Sequence, residues 1–191
     1  MSTDSILSTA GLRKMRRTGY HATGLQSILD AAELPKGSFY HFFGSKQAFA
    51  ARVLTDYFEE HKREFLLPFL NDTTLTPRER LIGYFQWAGS VMEKGKFRCG
   101  CFVGNIALET ADTSPVLQRK VRDIFAEWRS LFSDCIADGQ QTRNISAFLP
   151  PEPFAEFLLS SWEGALLRSK SDRSAVPLAS FLIVTERLLA P

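Results

Sequence analysis

Residues 23–49 read TGLQSILDAAELPKGSFYHFFGSKQAF, and this stretch decides the fold. Leu25, Ile28, Leu29 and Ala32 fall at i, i+3, i+4 and i+7, the apolar stripe of a short helix. Thr23 and Gln26 have the spacing of a capping box. In such a box the hydroxyl accepts an amide proton of the first turn while the glutamine reaches back. Pro35 disfavours helical geometry at Leu34, so this helix ends near Glu33. A second short helix runs from Lys36 to Phe43, and Gly44 ends it. Ser45 then caps a much longer helix whose buried side carries Phe49, Val53, Leu54, Tyr57 and Phe58 and which reaches Phe65 or beyond.

Upstream, Ser5 to Thr18 reads as a first helix, with Leu7, Gly11 and Met15 on one face. Gly11 costs it about 1 kcal/mol relative to alanine. Three short helices with a tight turn between the second and third are the layout of a helix-turn-helix. The third has the chemistry a major groove requires. Lys36, Ser38, Tyr40 and His41 offer donors of different reach, Gly37 lets the backbone come close to DNA, and Phe39, Phe42 and Phe43 are the expected apolar anchors. Lys46 and the amides behind Ser45 lie at a helix N-terminus, a natural phosphate site. Arg13, Lys14, Arg16, Arg17, Lys36, Lys46 and Arg52 face only Asp4, Asp30 and Glu33 in the same stretch, a local excess that suits a phosphate backbone. The net charge of the whole chain, +2, carries no such signal.

Downstream, helical spacing continues and no run alternates as a strand does. Thr76-Pro77-Arg78-Glu79 is a helix start with a cap, a first-position proline and a third-position glutamate, opening a helix that carries Leu81, Ile82, Phe85 and Val91. Further helices are expected over 103–110, from Ser114-Pro115 through Ile136, over 154–169 and over 177–189, with a breaker-rich loop over 139–153. The expected fold is therefore all-α: a three-helix helix-turn-helix domain over 1–47, joined by a long helix to a larger helical domain over 48–191.

The 191 residues are 45% hydrophobic, enough for a proper core. No apolar run reaches the roughly 18 residues of a membrane span, and Met1 to Ala10 has no signal-peptide layout, so the cytoplasm is the expected location. Cys99, Cys101 and Cys135 are an odd set and are expected as free thiols. His21, His41 and His61 lack the Cys or acidic spacing of a metal site, and no phosphate-cradling glycine loop occurs, so neither metal, cofactor nor catalysis is expected.

The segment from Thr23 to Phe49, PKGSFYHFFGSK above all, resembles the DNA-binding domain of the TetR family of regulators. The resemblance implies an all-helical homodimer, most often a repressor, that a small-molecule effector releases from double-stranded operator DNA. Carried over position by position, it implies DNA contacts at Thr23, Lys36, Gly37, Ser38, Tyr40, His41 and Lys46. Tyr40 and Lys46 match phosphate-contacting positions, and Lys36, Ser38 and His41 lie nearer the base edges. The chain departs from the family at Lys14, where an apolar residue is usual, so a bend or overwinding is expected in the first helix. Two recognition helices about 34 Å apart enter successive grooves on one face of DNA, which makes the operator a palindrome. The apolar stripes of the last two helices, Phe154, Phe157, Leu158, Trp162 and Leu166, then Phe181, Leu182, Val184 and Leu188, are the interface expected between copies.

The stretch Gly100-Cys101-Phe102-Val103-Gly104-Asn105, followed by Ala107-Leu108-Glu109, resembles one branch of that family. In some members of it a cysteine at the position of Cys101 responds to electrophiles or oxidants. Arg98 and the start of the next helix both favour a thiolate at Cys101. Cys101, Phe85 and Trp128 are the candidate effector contacts, by reaction or by lining a pocket. The alternative is a helical dimer that binds small molecules or partners and no longer reads DNA. The polar exposed side of the third helix favours a working reader.

Overall fold

The computed structural model describes residues 2–191. The elements are helical: α1 Thr3–Thr18, α2 Leu25–Ala32, α3 Lys36–Phe43, α4 Lys46–His61, a π-helical turn Lys62–Leu66, α5 Leu67–Leu70, α6 Pro77–Lys94, α7 Phe102–Thr110, α8 Pro115–Gln141, α9 Pro151–Asp172 and α10 Val176–Leu188. Close contacts gather them into two compact units. One takes the chain up to Glu60 together with Phe102–Ile124; the other takes His61–Cys101 and Phe125–Pro191. This grouping keeps α4 with the three short helices before it.

In the first unit, α1 packs on α2 and α3, and α2 packs on α3. Its core holds Leu7, Ala10, Met15, Ile28, Leu29, Phe39, Phe49, Val53 and Leu54, all buried. Gly11 lets this packing happen: a Cβ there would run into the Phe49 ring. Polar contacts add to it, with the Ser8 hydroxyl donating to Asp56 Oδ2 at 2.7 Å and Arg52 Nε to Asp56 Oδ1 at 2.7 Å. Arg52 is thus committed to Asp56, and lies 3.6 Å from Asp4, rather than being held ready for a phosphate.

In the second unit, α10 packs on α9 and α6, and α5 packs on α6. Phe85, Phe132, Phe154 and Trp162 are fully buried and form much of its core. The capping box at Thr76 is present: its hydroxyl accepts from the Glu79 amide while the Glu79 carboxylate accepts from the Thr76 amide at 2.8 Å.

Three local expectations are corrected. The Thr23–Gln26 capping box does not form, because α2 starts one residue later, with Gly24 at its N-cap. Gln26 reaches forward to Asp30 Oδ1 at 2.7 Å instead. The first helix is α-helical without interruption from Thr3 to Thr18, with no overwound turn at Lys14. The helix from Pro115 passes Gly139 to Gln141, because the Ile145 side chain folds back into the space over Gly139.

The long helix from Ser45 runs beyond Phe65, as expected, to Leu70, but widens on the way. Pro68 has no amide to donate to the Glu64 carbonyl. Just before it the backbone takes a π turn, closed by the Leu67 amide on Lys62 O. Such turns concentrate at functional sites.

Candidate nucleic-acid interface and effector region

The third helix, α3, has one anchoring face and one displayed face. Phe39 is wholly buried, its ring 5.1 Å from Phe49 and 5.5 Å from Phe43. Phe43 lies 4.8 Å from Phe49. Opposite this anchor, Lys36, Gly37, Tyr40 and His41 are exposed and Ser38 is half-buried. A Cβ at Gly37 would meet nothing within 4 Å, so the backbone there is bare. Gly44, at φ +68°, ends α3, and the Ser45 hydroxyl accepts from the Ala48 amide at 3.1 Å to start α4. Phe42 is not an anchor: it is 46% exposed, because it projects from the displayed side.

Two of the seven expected DNA contacts have other commitments. Thr23 is buried; its hydroxyl donates to Gly19 O at 2.6 Å and lies 2.9 Å from the Thr18 hydroxyl. Its side chain therefore shapes the α1–α2 turn and presents nothing outward. Lys46 donates to Tyr20 O at 2.7 Å, with its ammonium 4.4 Å from the centre of the Tyr20 ring. Burial pushes the Lys46 pKa down while the Glu109 charge pulls it up.

The candidate effector residues occupy different surroundings. Phe85 is shut into the core against the rings of Tyr84, Phe132, Trp162 and Phe181. Trp128 is buried, its ring 5.2 Å from that of His61. His61 is a residue that sequence reading singled out only to set it aside as a metal ligand. It is ringed by Phe65, Tyr84, Trp87 and Trp128, with Nε2 2.9 Å from the Tyr84 hydroxyl. Burial pushes its pKa down to about 4, so it is neutral at physiological pH. Phe65 and Trp87 stack at 4.3 Å, and Phe65 is part-exposed, which leaves this aromatic group open on one side.

Cys101 stands immediately before α7, buried, and is a free thiol, as are Cys99 and Cys135. Its partner is Glu163 of α9, which the sequence did not single out. Burial pushes the Glu163 pKa up to about 7, against the lowering effect of the Cys101 hydrogen bond. Glu163 Oε1 is closed off from solvent and has no protein hydrogen-bond partner. The segment before Cys101 borders an open hollow of about 560 Å³ lined by Glu93, Lys96, Phe97, Arg98 and Arg173.

Comparison with known proteins fits this layout. The family described as "Bacterial regulatory proteins, tetR family" matches residues 7–53, and "Tetracyclin repressor-like, C-terminal domain" matches residues 77–183. The chain belongs to the TetR family. The HTH-type transcriptional repressor DhaR of Mycobacterium sp. (strain GP1) is 38% identical to it over 181 residues, which cover 95% of this chain and 89% of DhaR. The crystal structure of the regulatory protein TetR from Rhodobacter sphaeroides has a TM-score of 0.90 at 31% identity, covering 97% of this chain and 98% of that one. The E. coli repressor NemR in its reduced form gives 0.89 at 26% identity, with coverage of 98% and 97%. This TetR-family chain is thus a helix-turn-helix transcriptional regulator, not an enzyme. Family members bind operator DNA and small-molecule effectors and form dimers. Among the described residues no helix is long and apolar enough to cross a membrane.

Proposed function

We propose that this chain is a cytoplasmic homodimeric repressor. Residues 1–47 read a palindromic operator, and residues 48–191 dimerise and take the effector. The carrying observation is the two-sided character of α3: Phe39 locked at zero exposure on one side, Lys36, Gly37, Tyr40 and His41 displayed on the other. Lys36, Ser38 and His41 address base edges. Tyr40 and the remaining donor capacity of Lys46 address phosphates, and Gly37 admits the backbone. Thr23 contributes by holding the turn.

An effector acts either as a reversible ligand or by modifying Cys101. What supports a role for Cys101 is its place directly before α7 and its neighbour Glu163, whose Oε1 is left over for a ligand donor. Trp128, in the His61 aromatic group, is the second candidate contact; Phe85 supports that wall through packing.

Selection of bound sequences from random DNA tests the reading. Enrichment of a palindrome is expected, with a changed preference for Lys36→Ala and His41→Ala. Lys46→Ala should bind all sequences more weakly. Cys101→Ser should bind the operator as the parent does, and should stay bound after iodoacetamide treatment that releases the parent. A library that returns no enriched motif removes the operator-reading proposal. Equal release of parent and Cys101→Ser removes the thiol.

A further inference from the structure

Glu109 closes the stretch Gly100–Glu109 that the sequence singled out. Its position is unfavourable for its own helix. It is the penultimate residue of α7, where the exposed carbonyls carry partial negative charge and a carboxylate is repelled. No basic residue in the last turn compensates. A charge kept there must be held by something else, and the structure shows what holds it.

The Glu109 Oε2 accepts the His21 backbone N–H at 3.0 Å, and the Glu109 carbonyl oxygen lies 2.8 Å from His21 Nε2. A carbonyl can only accept, so the imidazole donates from Nε2. One residue of α7 thus holds one residue of the α1–α2 turn by both its backbone and its ring, across 88 positions of sequence. The third contact is steric. Gly19 has φ +87°, and a Cβ there would sit 2.7 Å from Glu109 Oε1. Between Gly19 and His21, Tyr20 carries Lys46 on its ring and on its carbonyl, with the Glu109 charge attracting the ammonium. The turn so gripped leads directly into α2, on which α3 packs.

We propose that Glu109 is a positioning residue for DNA binding: it clamps the Gly19–His21 turn to α7 and so sets where the reading helices stand. The clamp lies eight residues after Cys101, at the far end of the helix that Cys101 precedes, so displacement of the first turn of α7 is carried to the turn that orients α2 and α3. The consequence for DNA affinity rests on α3 being the reader. The clamp itself does not.

The test compares the full-length chain with Glu109→Ala and Glu109→Gln on the selected operator. A carboxylate that merely stands near the reader repels phosphates, and its removal would tighten binding. The clamp requires the opposite sign: about tenfold weaker operator binding for Glu109→Ala, an unchanged preferred sequence and an unchanged salt slope, since no phosphate contact is lost. Glu109→Gln, which keeps an acceptor for the His21 amide, should recover part of that loss. Thermal unfolding read by circular dichroism separates a folded variant with a loosened turn from an unfolded one. Amide hydrogen exchange at His21, faster in Glu109→Ala than in the parent, reads the clamp without DNA. Equal or tighter DNA binding by a folded Glu109→Ala overturns the positioning role. Unchanged exchange at His21 overturns the clamp. If the parent bound no DNA, operator reading would fail while the exchange result still decided the clamp.

Discussion

Gly11 and Gly37 both lie inside helices, and helix propensity assigns each the same penalty of about 1 kcal/mol. The structure gives them opposite reasons for staying. A methyl at Gly11 would press on the Phe49 ring, so Gly11→Ala should destabilise the chain by about 1–3 kcal/mol through overpacking. A methyl at Gly37 would meet nothing, so Gly37→Ala should stabilise it by roughly 0.5–1 kcal/mol. If the backbone of α3 approaches DNA as proposed, the same Gly37→Ala should nevertheless bind the operator several-fold more weakly. Urea unfolding and DNA titration of the two variants check this pair. A Gly37→Ala that is more stable and binds equally well would place DNA further from α3. The display side of α3 was legible because Lys36, Tyr40 and His41 are local in sequence. The withdrawal of Thr23 was not, because its partner oxygen at Gly19 becomes available only through the turn's own geometry.

The helix start at Thr76-Pro77 and the helix stop at Gly44 are legible in the sequence because a local chemical signal fixes each of them. Interior surroundings are not, because they come from distant elements: His61 meets Tyr84 and Trp128, and Cys101 meets Glu163. These two buried groups make opposite pH demands. His61, with its pKa pushed down to about 4 from 6.5, binds its proton more readily when unfolded. The stability of its neutral form is complete above pH 6.5 and is lost as the pH falls towards 4. Glu163, with its pKa pushed up to about 7 from 4.5, holds its proton more tightly when folded. That contribution is complete below pH 4.5 and is lost as the pH rises through 7. Glu163→Gln, which mimics the protonated form, should therefore raise Tm by a few degrees at pH 8 and leave it nearly unchanged at pH 4. Differential scanning fluorimetry at the two values decides. An equal shift at both would mean that Glu163 is ionised in the fold already.

For the molecule as a whole, the apolar stripes of the last two helices divide in a way the sequence could not show. Phe154, Leu158, Trp162, Leu166 and Phe181 are buried within the chain itself, so these members of the expected interface are core. What is left outside is a second set: Phe157 and Leu167 on α9, and Ile183 and Val184 on α10, each about half exposed or more. Because α9 and α10 pack on each other, these side chains belong to one helix pair. Gly164, between Phe157 and Leu167, has open space where a Cβ would be, room for another helix to come close. A twofold axis would place the pair against its own copy as a four-helix contact, the self-complementary arrangement of a closed dimer. Phe157→Glu with Ile183→Glu would put four buried charges into that contact and should give monomers in light scattering at concentrations where the parent is a dimer. Both sites are exposed in the single chain, so helical content should survive. Because a palindrome is bound through two half-sites, the monomer should lose at least a hundredfold in operator affinity while binding a single half-site no worse than before. A variant that stays dimeric would move the interface off this helix pair. A monomer with undiminished operator affinity would mean that the operator is read one half at a time.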